Sequence, residues 1–241
     1  MRPTYKIPVT DTYLAAFLHK QIPGPLPEQC STQGFKMRAV NNSKVYDLTL
    51  IAAFAALIIV LGGIAIPVGG LGVPIVLQNM GIALAGMILG FKRGGLATTL
   101  FLAVGLVGVP NMAGWKPLLA ALPGPTVGYI VGYLIAGFAI GAIAQQAPRA
   151  KVSRISVFIG AGLVGVLLQY FFGSVGLTWR MGLSFTDALI TNVPFIPGDV
   201  AKVVVAALIA TAVLQAFPDL LPDAANRKQS RLVKEAATSG N

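Results

Sequence analysis

The chain is predicted to be an all-α integral membrane protein, a compact bundle of six membrane-crossing helices. Three observations carry that expectation. Of its 241 residues 55% are hydrophobic and only 11% charged, where soluble domains run near ~25% charged, and the mean hydropathy is +0.76. Long apolar stretches fall at residues 48–66, 75–89, 96–109, 126–144 and 155–172, and a sixth runs from 198 to about 217. Lysine and arginine gather mainly in the polar N-terminus, in short connections and after Leu220.

Residues 1–46 are a polar N-terminal extension with scattered Pro, Gln, Asn and charge, expected to be cytoplasmic. They lack a basic start leading directly into an apolar core and a small-residue cleavage site, so a cleaved leader is not expected. Residues 47–66 make the clearest span, because 20 residues at ~1.5 Å each cover a hydrocarbon core of ~30 Å. Pro67-Val-Gly-Gly-Leu-Gly-Val-Pro74 then turns the chain. The second and third stretches are short and are separated by Gly90-Phe-Lys-Arg-Gly-Gly95, so buried, tilted or interrupted helices are all compatible with them.

A longer connection at residues 110–125 leads to the fourth helix. Arg149, Lys151 and Arg154 separate the fourth from the fifth, and a mixed connection carrying Trp179 and Arg180 follows, with a short helix expected at residues 185–191. Pro194 and Pro197 interrupt before the sixth helix opens near Gly198. The membrane domain is therefore residues 47–217, and residues 218–241 form a polar, basic tail.

Charge gives a topology. If Lys44 lies inside, so do Lys92 and Arg93, the group Arg149, Lys151 and Arg154, and the tail cluster Arg227, Lys228 and Arg231. Short-loop Lys and Arg favour the cytoplasm. Both termini are thus expected to be cytoplasmic in a multi-pass protein of the cell inner or plasma membrane, with Lys116 and Arg180 outside.

The formal charge of +10 does not indicate nucleic acid, since no basic stripe lies on a soluble domain. A single Cys30 and a single His19, both in the polar leader, leave no disulfide and little basis for zinc or histidine chemistry. No metal or cofactor is expected. Four-residue spacings of small residues at Gly86/Gly90, Gly128/Gly132, Gly137/Gly141 and Ala52/Ala56 let helix backbones approach closely.

Asp199 and Lys202 stand out. Three residues apart, they are neighbours on one helical face, and Asp199 falls in the first turn, where the positive helix end favours a carboxylate. One reading is a helix cap with a snorkelling lysine. The other is a solute site, favoured because an ionisable pair in an apolar bundle marks a site by default.

Four segments carry a resemblance: Ala52-Ala-Phe-Ala-Ala56-Leu, the run from Gln78 to Gly95, Gly124-Pro-Thr-Val-Gly128-Tyr129, and Phe195-Ile-Pro-Gly-Asp199-Val-Ala-Lys202. In order and spacing they resemble the bacterial BioY family, the biotin-specific S component of energy-coupling-factor (ECF) transporters, over roughly residues 46–217. The resemblance implies a six-helix bundle of the ECF S-component type that captures biotin from outside, with Asp199 and Lys202 contributing to binding. It also aligns a family polar residue with Asn111 and matches Ala52 and Ala56 to a surface that docks the coupling subunit. Val127 departs from the paired glycines usual after Gly-Pro-Thr and adds bulk there.

Biotin has an apolar tail, a ureido ring and a carboxylate. Lys202, Lys116 or Arg180 is suited to the carboxylate, and Asp199 or Asn111 to the ureido N–H groups. Trp115, Trp179, Tyr129 or Phe195 is suited to the apolar part. The chain has no Gly-x-x-x-x-Gly-Lys-Ser/Thr loop and is not expected to be an enzyme. By the resemblance, a transmembrane coupling protein and two ABC-type ATPases supply the energy, within membrane lipid. The competing expectation is a self-sufficient secondary carrier for biotin or a related carboxylated solute.

Overall fold

The computed structural model describes residues 42–66, 75–148 and 150–220. The N-terminal extension up to residue 41, the Pro67–Pro74 turn, Arg149 and the basic tail beyond 220 lie outside the described residues. In chain order the first elements are α1 (Asn42–Gly62), β1 (Ala65–Ile66), β2 (Ile75–Val76), α2 (Gln78–Leu106), β3 (Pro110–Met112) and β4 (Lys116–Pro117). They are followed by α3 (Leu118–Ala121), α4 (Val127–Ala144), α5 (Lys151–Met181), α6 (Phe185–Ile190), a 3-10 turn (Val193–Phe195), α7 (Ile196–Ala216) and a final 3-10 turn (Pro218–Leu220).

Among the described residues five helical stretches are long and apolar enough to cross a membrane, and one of them is double. Residues 90–95, expected to be a connection, are helical except at Gly90, whose backbone sits at φ 77°, ψ −169°. That conformation is open essentially to glycine alone, and it folds α2 back on itself. A straight helix of 29 residues would hold its ends about 42 Å apart. Instead Gln78, at one end, donates from Nε2 to the backbone oxygen of Asn111, just past the other, at 2.7 Å. At the tip, a Cβ on Gly94 would lie 2.7 Å from the Ala85 oxygen and 2.9 Å from the Gly86 Cα. The two arms, with α1, α4, α5 and α7, give the six segments.

Small residues set the helix spacing. Gly141 of α4 abuts the fold at Gly90, where an added Cβ would be 2.6 Å from the Gly90 carbonyl carbon. At the opposite end, Gly128 of α4 faces Gly176 of α5, backbone to backbone. Each four-residue glycine spacing is therefore used inside the bundle, which is the close-packing role such spacings favour. The core between them is apolar, with Ile58, Ile82, Phe101, Ile140 and Phe158 at 1% exposure or less.

The bundle has two distinct ends. At the Gly90 end, Arg93 pairs with Asp47 of α1 at 2.6 Å, a second ion pair, formed between helices, that sequence spacing does not reveal. At the other end lie two antiparallel ribbons, β1 with β2 and β3 with β4, so the connection at residues 110–125 holds both a ribbon and the short α3.

α5 is longer than the apolar stretch at its centre. It runs 31 residues, about 46 Å, and absorbs Lys151, Arg154, Trp179 and Arg180, which were expected in connections. Gly182, left-handed at φ 68°, ends it by donating its N–H to the Thr178 oxygen. α6 follows as expected, capped by Ser184, whose Oγ accepts from the Asp187 N–H at 3.1 Å and donates to the Asp187 carboxylate at 2.6 Å.

Candidate solute-binding site

α7 begins at Ile196, with Pro197 in its first turn and Asp199 close behind. The proline lacks an N–H where none is needed, and the helix brings Asp199 and Lys202 to one face. Their ion pair closes at 2.5 Å between Lys202 Nζ and Asp199 Oδ1, with Asp199 buried and Lys202 largely so.

Residues far away in sequence complete it. Asn79, in the first turn of α2, donates from Nδ2 to Asp199 Oδ1 at 2.8 Å and accepts from Lys202 Nζ on its Oδ1 at 3.2 Å. An ammonium can only donate and a carboxylate only accept, so the Asn79 amide has one orientation that satisfies both. Tyr170 of α5 donates its hydroxyl to Asp199 Oδ2 at 2.6 Å. Lys202 also donates to the Val76 backbone oxygen of β2 at 2.9 Å. Its three N–H bonds thus meet three acceptors, and both oxygens of Asp199 are occupied.

This cluster floors an open cavity of about 220 Å³ at the ribbon end of the bundle. Tyr129, Tyr133, Tyr170 and Phe195 supply aromatic wall, Met112 and Ile130 aliphatic wall, and Lys116 of β4 a further cation. Tyr129 is held by a second network. Its hydroxyl donates to Asn192 Oδ1 at 2.6 Å, and Asn192 Nδ2 donates to Ser174 Oγ at 2.9 Å and to the Ala188 oxygen at 3.0 Å.

Asp199, Lys202 and Tyr129 are therefore brought together with Phe195 and Lys116. Asn111, Trp115 and Arg180 are not in the lining. Asn111 is wholly buried: its Nδ2 donates to the Phe101 oxygen at 2.6 Å, tying the ribbon to α2, while its Oδ1 has no hydrogen-bond partner among the described residues. Trp115 has a left-handed backbone, φ 62°, and its indole lies over Gly63. Arg180 donates to the Leu122 oxygen at 3.2 Å and sits 4.4 Å over the Trp179 ring. Asn79 and Tyr170 were missed by sequence reasoning. Their signal was present as polar side chains inside apolar stretches, at Gln78-Asn79 and Gln169-Tyr170, positions that in a membrane protein mark function by default.

Six helical segments around a cavity with a largely buried ion pair, five of the helices being long and apolar enough to cross a membrane among the described residues, define a multi-pass membrane protein of the ECF S-component fold. The fold is similar to a crystal structure described as the S-component for biotin from an ECF-type ABC transporter, with TM-score 0.66 and 34% identity over 73% of this chain and 94% of that one. It is also similar to ThiT from Listeria monocytogenes, with TM-score 0.53 and 22% identity over 75% of this chain and 99% of that one, a likeness of fold alone. The chain belongs to the BioY family, whose sequence pattern matches residues 35–219. Among its relatives, the biotin transporter BioY of Rhodobacter capsulatus is 42% identical, covering 73% of this chain and 96% of the relative. That of Rhizobium etli is 38% identical over the same shares.

Proposed function

We propose that the chain is the substrate-capture subunit of an ECF-type importer and that its ligand is biotin. The observation that carries the reading is the cavity itself: an apolar and aromatic chamber floored by Asp199, Lys202, Asn79 and Tyr170, in a member of the BioY family. An apolar chamber with a few convergent polar groups suits a small ligand that is part hydrocarbon and part hydrogen-bonding. The ureido group of biotin offers two N–H donors and one carbonyl acceptor, which suit the remaining lone pair of Asp199 Oδ2 and the second N–H of the Asn79 amide.

Capture is not hydrolysis. Energy comes from partner subunits, a transmembrane coupling protein and two ABC-type ATPases, and the chain itself is not an enzyme. Ala52 and Ala56, both exposed on α1, are the proposed contact with the coupling protein. The cavity end faces outward and both termini lie in the cytoplasm, because Lys44, Lys92 and Arg93 fall at the Gly90 end and short-loop cations favour the inner side.

Equilibrium titration of the purified, detergent-solubilised protein with biotin tests the assignment, with riboflavin and thiamine as controls. Sub-micromolar binding is expected, at least ~8 kcal/mol. Saturable binding of another vitamin with none of biotin rejects it. Uptake into liposomes with and without the ATPase partners separates an energised importer from a self-sufficient carrier.

A further inference from the structure

Among the described residues, three charged side chains line the cavity: Asp199, Lys202 and Lys116. Two of them cancel. Lys202 and Asp199 form a buried ion pair, and Lys202 spends its remaining N–H bonds on the Val76 oxygen and Asn79 Oδ1. For Lys202 to receive a ligand anion it would have to release an acceptor and leave Asp199 or a backbone carbonyl short of a partner, a desolvation cost that opposes binding. Lys116 differs. Within β4 its backbone pairs with Met112, while its side chain is exposed and has no ion pair or hydrogen bond among the described residues. Arg180, the other outer cation, is held by Leu122 and Trp179 outside the lining.

We infer that Lys116 is the group that recognises the ligand's carboxylate, while the Asp199–Lys202–Asn79 cluster recognises its neutral polar end. The inference rests on the biotin assignment and deepens it. The charge balance is its basis, because among the described residues the cavity lining carries one uncompensated positive charge and an anion is the ligand group that neutralises it. The apolar wall of Met112 and Ile130 then covers the hydrocarbon between the two ends, and the cavity selects for a monocarboxylate with a neutral hydrogen-bonding head.

The test compares biotin with its methyl ester on wild type, Lys116→Ala, Lys116→Glu and Lys202→Ala, each checked for folding by its elution profile in detergent. Wild type is expected to favour biotin over the ester by about tenfold, the equivalent of ~1.4 kcal/mol. Lys116→Ala is expected to lose that preference while still binding the ester about as wild type does. Lys116→Glu is expected to invert it, so that biotin amide-linked to ethylenediamine, which carries a cation, outcompetes biotin. A structural role for Lys116 would weaken all three ligands alike and is ruled out by the inversion. The inference is overturned if Lys116→Ala keeps the full preference for the acid, or if Lys202→Ala abolishes that preference and Lys116→Ala does not. Absence of biotin binding by folded wild type would instead reject the biotin assignment on which the inference stands.

Discussion

Asn79 and Asp199, 120 residues apart, meet at 2.8 Å, the Asn79 Nδ2 donating to Asp199 Oδ1. Through this contact the opening turn of α2 and the opening turn of α7 share one polar floor, and the position of the carboxylate depends on both. The Tyr170 hydroxyl fixes the other oxygen. Removing either donor should loosen the carboxylate without emptying the core. Tyr170→Phe, which keeps the ring, is expected to weaken biotin binding by about the worth of one hydrogen bond to a charged group, ~1.5–3 kcal/mol, and to lower the melting temperature as well, because buried Asp199 Oδ2 loses its donor. Calorimetric titration of Tyr170→Phe and Asn79→Ala checks this, and unchanged affinity in both variants would remove the floor from the binding site.

The ion pair has an asymmetric cost. Lys202→Met leaves Asp199 buried and uncompensated, which typically destabilises by ~3–5 kcal/mol. The double variant Asp199→Asn/Lys202→Met removes both charges and is expected to recover most of the lost thermal stability but none of the biotin binding. Melting curves in detergent, run beside ligand titrations, distinguish the two effects. A double variant as unstable as the single one would mean that lost packing, rather than a stranded charge, is responsible.

Gly90 is the hinge of the α2 hairpin, and its backbone conformation suits glycine alone. Gly90→Ala is expected to lower stability by about 1–3 kcal/mol. Gly160 of α5, where an added Cβ meets nothing within 4 Å, is the matched control, and Gly160→Ala should be neutral or slightly stabilising in a helix interior. Equal melting temperatures for the two variants would show that the fold at Gly90 bears no strain.

Ala52 and Ala56 lie exposed on α1, one turn apart, so that methyl-sized groups leave a flat face for a partner helix. Ala52→Trp and Ala56→Trp are expected to impair co-purification with the coupling subunits and ATP-dependent uptake, while biotin binding by the isolated subunit is retained. Normal assembly by both variants rejects this face as the contact, and parallel loss of assembly and binding indicates damage to the bundle.

Much of the architecture was legible in the chain. Hydropathy marks where helices lie because hydrocarbon requires every backbone polar group to be bonded within its own segment, and the Asp199–Lys202 pair was visible because local spacing alone puts it on one helical face. Pro194 and Pro197 likewise marked the opening of α7 to within two residues.

Partners distant in sequence were decided by tertiary structure alone. Nothing local shows that Asn79 and Tyr170 converge on Asp199, that Arg93 pairs with Asp47, or that α2 reverses at Gly90 rather than ending there. The same holds for the lining: Asn111 is polar and near the right end, yet its amide nitrogen bonds the Phe101 oxygen and the residue is not among those that line the cavity. Sequence determined the charges and the segments that carry them, because those follow from residue type and periodicity. Which charge is already neutralised and which remains free depends on contacts across helices, and those exist only once the bundle has packed.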